Sequence, residues 1–133
     1  MKTLGVLIIL SLIMLTACTN QQVDTLTNIK PNTIEITSNG FTPKELTIKI
    51  GETITFINKD TKPHWPASAF HPTHTAYPGS NIEKCGTEEQ ENIFDACKEL
   101  QQEWTYAFKF EAHGKWNYHD HLKPSMYGSI IVQ

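Results

Sequence analysis

Arginine is absent from the 133 residues: all 11 basic side chains are lysines, set against 14 acids for a net charge of −3. That balance lacks the concentrated positive footprint of a nucleic-acid surface, so DNA and RNA are excluded as partners. No apolar run spans a bilayer comfortably, because the longest, Leu4 to Leu15, falls short of the ~20 residues a spanning helix takes. The chain has no glycine-rich phosphate loop, no internal repeat and no low-complexity tract. It is too short for a doubly wound dehydrogenase or a (β/α)8 barrel. Charged residues make up only 19% and hydrophobic ones 39%, too apolar a mixture for a disordered chain. One small folded domain is what remains.

At the N-terminus, Lys2 followed by a short apolar run has the layout of an export signal. Leu15-Thr16-Ala17-Cys18 closes that run and resembles the lipobox of bacterial lipoproteins. The resemblance implies that residues 1–17 are removed, that Cys18 carries lipid on its sulfur, and that the mature chain faces the periplasm or the cell surface. Residues 18–30 are polar without sustained periodicity and read as a lipid-anchored tether. The domain is expected over residues 31–133. With Cys18 lipidated, Cys85 and Cys97 are left as an even pair in an oxidising compartment, and a disulfide between them is expected. Such a staple contributes ~2–3 kcal/mol, chiefly by restricting the unfolded chain.

Within the domain, Ile34/Ile36, Leu46/Ile48/Ile50 and Ile54/Phe56 alternate with polar neighbours, the period-two pattern of strands with one buried face. Strands are therefore predicted over 33–37, 46–50 and 53–57, with turns at Asn39-Gly40 and Gly51-Glu52. Trp104/Tyr106/Phe108/Phe110, Trp116/Tyr118 and Ile130/Val132 continue the pattern. About six short strands predict a sandwich or barrel. One segment differs: Thr87 to Gln90 has capping-box spacing, with Ile93, Cys97 and Leu100 on one helical face. This predicts a helix over Glu88–Leu100, inside a stapled surface excursion spanning Ala76–Glu103.

Of six histidines, five fall in two clusters: His64, His71 and His74 in one stretch, His119 and His121 in the other, with His113 apart. Imidazole is the commonest protein metal ligand and suits copper, zinc, iron and nickel. On an extended strand His119 and His121 point to the same side and Asp120 to the other. The two rings therefore face one point, where a metal is a candidate. His71 and His74 are candidates for the rim of that site or a pickup site feeding it. Trp65 and Trp116 are expected to pack and shield.

Two passages carry a further resemblance. Gly40 to Asp60 followed by Pro63-His64, and Gly114 to Asp120 followed by Pro124 to Val132, closely resemble the cupredoxins, the small blue-copper sandwich family. The resemblance implies an all-β fold, an antiparallel Greek-key β-sandwich with a metal at one end, and it matches His64 to the family's first histidine ligand. The last loop departs: where the family reads Cys-x-x-His-x-x-Met, this chain has Asp120, Lys123 and Met126. A blue site rests on a His2Cys set with a weak axial Met. None is expected here; in place of the missing ligands the resemblance leaves either His119 and His121 meeting His64, a tetragonal nitrogen site suited to Cu(II), or Asp120 doing so alone, the histidine pair being favoured, with Met126 kept as the family's soft ligand.

The functional expectation is a membrane-anchored, extracytoplasmic copper-binding protein with a non-blue, histidine-rich site, acting in copper trafficking, sequestration or electron exchange with a redox or copper-transfer protein. Two other classes are weighed beside it: a metal-free interaction module or subunit on the same fold, and a small copper oxidase or reductase. No catalytic nucleophile is singled out.

Overall fold

The computed structural model describes residues 32–133; the expected signal segment, Cys18 and the tether lie outside the described residues. Eight strands form two four-stranded sheets. The first has the order β2(Gly40–Thr42)-β1(Thr33–Thr37)-β4(Thr53–Asn58)-β6(Thr105–Lys109). The second has the order β3(Glu45–Ile48)-β8(Lys123–Val132)-β7(Gly114–Asp120)-β5(Pro66–Ser68).

The all-β sandwich is as the alternation predicted, and β1 and β4 sit where Ile34/Ile36 and Ile54/Phe56 placed them. The sheets are mixed rather than purely antiparallel: β1 runs parallel to β4 and β3 parallel to β8, the remaining pairs being antiparallel. Two strands were missed by the periodicity, β2 and β5, each three residues long. Runs so short show barely one period.

Between the sheets lies an aromatic core. Phe56 and Phe94 are fully buried, and both rings lie within about 6 Å of Tyr118. Phe94 also stacks on Phe108 at 5.3 Å and meets Phe110 edge-on at 4.9 Å. Such pairs contribute roughly 0.5–1.5 kcal/mol each beyond the area they bury.

The Glu88–Leu100 helix does not form. Two single-turn 3-10 segments stand in this region, Ile82–Lys84 and Gln90–Asn92. Beyond them the chain is extended and bridges β5: Ser68 N–H donates to Phe94 O at 2.8 Å and Ala96 N–H to Pro66 O at 3.0 Å. Tertiary pairing with a sheet edge and burial of Phe94 override the local helical spacing. The stretch is a surface excursion only in part: residues 81–92 are exposed or half-buried, whereas Tyr77, Ile93, Phe94, Ala96 and Leu100 are buried. The Cys85–Cys97 disulfide is present, closing the loop as the cysteine count predicted.

Candidate metal centre

The site begins with the alternation of β7. Tyr118 belongs to the core and Asp120 points the same way, so His119 stands on the outer face of its sheet. A register shift at His119/Asp120 breaks the β7–β8 ladder there. His121 follows just past the strand end, its N–H donating to Trp65 O at 2.7 Å.

The outer face is covered by the loop after β5. Ala69 N–H donates to Asn117 O at 2.9 Å, and Ala76 N–H donates back to Ala69 O, closing the loop onto β7. His74 adopts a left-handed φ of 58°, one of the few non-glycine residue types enriched in that region. The fold of this loop lays His71 and His74 over His119. His74 and His119 are buried, His121 is half-buried and His71 is exposed.

Each of the four imidazoles offers a ring nitrogen, and the four atoms all lie within 4.8 Å of one another. Ring centroids trace a puckered quadrilateral: 71–119, 119–74, 74–121 and 121–71 are its edges, at 5.4, 5.0, 4.9 and 4.9 Å. The diagonals, 71–74 and 119–121, are 6.4 and 6.5 Å. Every edge therefore joins the loop to the β7 end, so one ion at the centre would tie the two segments together. Nitrogens each ~2.0 Å from an ion are at most about 4 Å apart, so the rings need only a small inward shift.

Whether these residues fit a metal is answered by His119. Both of its ring nitrogens are buried with no hydrogen-bond partner among the described residues, although buried polar atoms are nearly always paired. Burial, then the neighbouring imidazoles of His74, His71 and His121, lowers its pKa to about 4. The ring is thus neutral with a free lone pair at ordinary pH, the form that binds metal. His121 is lowered as well, first by burial and then by His74 and His71.

Around the four rings lies a supporting layer that the sequence did not reveal. The Asp95 carboxylate contacts His74 Nδ1 at 2.5 Å through Oδ2, while Oδ1 accepts from Trp65 Nε1–H at 2.6 Å and from Cys97 N–H at 2.8 Å. His74 Nδ1–H donating to Asp95 leaves Nε2 as the lone-pair nitrogen, and that atom lies 3.0 Å from His121 Nδ1. Trp65 also packs its ring on His121 at 4.6 Å. It shields the site, as expected of it. Trp116 serves the core instead, donating Nε1–H to Ala112 O and packing on Tyr77.

His64 is not brought into this cluster, which corrects the expected meeting of His64 with His119 and His121. Its Nδ1 faces Asp120 Oδ2 at 2.7 Å and its Nε2 faces Asp60 Oδ2 at 3.2 Å, so both ring nitrogens are engaged by carboxylates. Asp120 accepts two further bonds at Oδ1, from Trp65 N–H at 2.9 Å and Leu122 N–H at 3.1 Å. It is a bonding partner of His64 and not a member of the four-ring set. Met126 is buried in the hydrophobic core. Parity along the strand was right, with Asp120 alone on one side and the histidines together on the other. The sides were matched to the wrong partners, because the strand turns Asp120 inward.

Among the described residues, Cys85, Asp95 and Cys97 form a second group of close ligand atoms, but both sulfurs are spent in the disulfide. No helix of the described residues is long and apolar enough to cross a membrane.

The same fold occurs in solved structures. A purple cupredoxin from Nitrosopumilus maritimus superposes with a TM-score of 0.57 at 22% identity, covering 76% of this chain and 98% of that one. A reduced amicyanin variant gives 0.56 at 22% identity, over 76% and 80% of the two chains. A nitrite reductase from Thermus scotoductus gives 0.58 at 23% identity, over 77% of this chain and 22% of the larger one. A search of curated proteins finds no match. The family model described as the cupredoxin-like domain aligns with residues 6–132, and since that is almost the whole sequence, the chain belongs to the cupredoxin-like family.

Proposed function

We propose that this protein binds one copper ion as Cu(II) between His71, His74, His119 and His121, in an extracytoplasmic compartment, and serves copper trafficking, sequestration or electron exchange. The observation that carries the reading is the buried, doubly unpartnered imidazole of His119 facing three others. Four imidazoles converging from two segments supply an all-nitrogen donor set, of the kind Cu(II) takes. The nitrite reductase of like fold is described as copper-containing, and an amicyanin structure as a Cu(I) form, which favours copper over zinc.

Export and anchoring support the same role. The lipobox-like Leu15-Thr16-Ala17-Cys18 points to a lipid on Cys18 and a domain held by residues 18–30 at a bacterial membrane surface. The Cys85–Cys97 disulfide agrees with an oxidising compartment. Exposed His71 gives the ion a way in and out, while His74 and His119 retain it. A redox or copper-transfer protein is the partner such a site would serve.

The test is to purify residues 19–133, titrate with Cu(II), and record stoichiometry and spectrum. One equivalent of non-blue, nitrogen-dominated copper, lost in His119→Ala, is expected. Absence of saturable binding would refute the reading.

A further inference from the structure

Asp95 touches His74 from the far side of the four-histidine cluster, and it is held twice: its backbone by the bridge to Ala67 of β5, its carboxylate by the N–H of Cys97 in the disulfide loop. The carboxylate lies two residues before Cys97, whose own N–H donates to its Oδ1, and both Asp95 and His74 are buried. Cys97 holds a left-handed φ of 52°, a conformation that costs a non-glycine residue and persists only when its surroundings impose it. Among the described residues, Asp95 is the carboxylate bonded to any of the four rings; Asp120, the other nearby acid, is turned away to His64. The remaining groups about Asp95 are Trp65 Nε1–H on Oδ1 and the Tyr106 hydroxyl, which accepts from Asp95 N–H at 2.8 Å.

We infer that Asp95 is the positioning residue of the four-histidine site and that the Cys85–Cys97 disulfide holds it in place, so that metal affinity follows the thiol–disulfide state of the loop. This rests on the four-histidine reading and adds to it a means of release. With the disulfide closed, Asp95 keeps the proton of His74 on Nδ1 and aims Nε2 at the ion. With it open, Phe94–Ala96 stay paired to β5, but Cys97 is free to leave its left-handed conformation, and the Asp95 carboxylate loses the N–H that orients it.

The reductant is a dithiol. One of its thiolates attacks a cysteine sulfur, the Cys85–Cys97 bond breaks, and a mixed disulfide forms. Its second thiolate displaces the remaining protein thiolate. Two electrons and two protons end on Cys85 and Cys97, and the dithiol leaves as its own disulfide. Both cysteines are half-buried, not sealed in the core.

The experiment is a Cu(II) competition titration against a chelator of known affinity, using the full-length chain purified in detergent with the disulfide intact. Three variants are compared with it: Asp95→Asn, the pair Cys85→Ser with Cys97→Ser, and all three together. Asp95→Asn and the serine pair are each expected to weaken binding by roughly 10–100-fold, the range for removing such an outer partner. Because both act through one carboxylate, the triple variant should be no weaker than the weaker of the two. The copper spectrum should shift alike in Asp95→Asn and the serine pair, a signature that general loss of stability does not produce. Wild-type protein reduced by excess dithiol, capped with iodoacetamide and freed of reagents reaches the open loop without mutation, and should match the serine pair. Wild-type affinity in the open-loop forms, or losses that multiply in the triple variant, would overturn the inference while leaving the four-histidine site standing. Failure of the intact wild type to bind copper at all would overturn both.

Discussion

His64 Nδ1 lies 2.7 Å from Asp120 Oδ2 in the buried region where the cupredoxin resemblance placed a ligand histidine and a cysteine. The two side chains form a hydrogen-bonded clamp, completed by Asp60 on the other ring nitrogen. The clamp joins the loop after β4 to the end of β7, much as a metal would. Removing one partner of a buried hydrogen bond leaves the other unsatisfied and costs about 1–3 kcal/mol. Asp120→Ala is therefore expected to lower stability by that order in chemical denaturation. Under native conditions His64→Gln should still bind one equivalent of copper. Loss of copper binding in a folded His64→Gln protein would return His64 to the site.

Acid should weaken the metal-free protein through His119. Its pKa falls from the ordinary 6.5 to about 4 on folding, so between those values the unfolded chain binds the proton and the folded chain does not. Stability from this group is complete above pH 6.5, declines as pH falls, and is lost by about pH 4. Thermal melts of the copper-free protein across that window should show Tm rising with pH, and His119→Gln should flatten the slope. Parallel slopes in the two proteins would remove His119 as the cause.

Gly128 is a packing constraint on β8. A Cβ there would lie 2.3 Å from the Tyr118 hydroxyl and 2.5 Å from the Lys44 carbonyl oxygen. The second of these is backbone, tied to Ser129 N–H at 2.9 Å, and cannot swing aside. Gly128→Ala is expected to cost roughly 1–3 kcal/mol or more through overpacking, read as a lowered denaturation midpoint. An unchanged midpoint would mean the sheet yields more readily than its register suggests.

The core aromatics give a complementary case. Phe94 lies inside the disulfide loop yet contacts Phe56, Phe108, Phe110 and Tyr118. Phe94→Ala is expected to cost about 3–5 kcal/mol, as for any large core ring. If the stretch were a surface excursion, the loss would be within about 0.5 kcal/mol.

What could be read from the sequence follows from which signals are local. Alternation in Ile34/Ile36 and Ile54/Phe56 marks buried faces because period two is a property of the strand itself. Cysteine parity located the staple for a similar reason. The Glu88–Leu100 helix failed because Phe94–Ala96 bond to Pro66 and Ser68, nearly thirty residues away, and no spacing rule sees a distant sheet edge. The site was legible in part: His71, His74, His119 and His121 were all singled out, but as two tiers around His64. Which side of β7 faces the core decides the grouping, and that is fixed by Tyr118 packing on Phe41 and Phe56. Asp95 gave no local signal at all, lying in an acid-rich stretch and reaching His74 only in the folded chain.

The central claim is that imidazoles from two distant stretches share one ion. X-ray absorption on Cu(II)-loaded protein, residues 19–133, counts them directly. Four imidazole nitrogens at ~2.0 Å, dropping to three in His71→Ala, are expected for the four-histidine cluster. A copper environment built of oxygens, or one that is identical in wild type and His71→Ala, would contradict it.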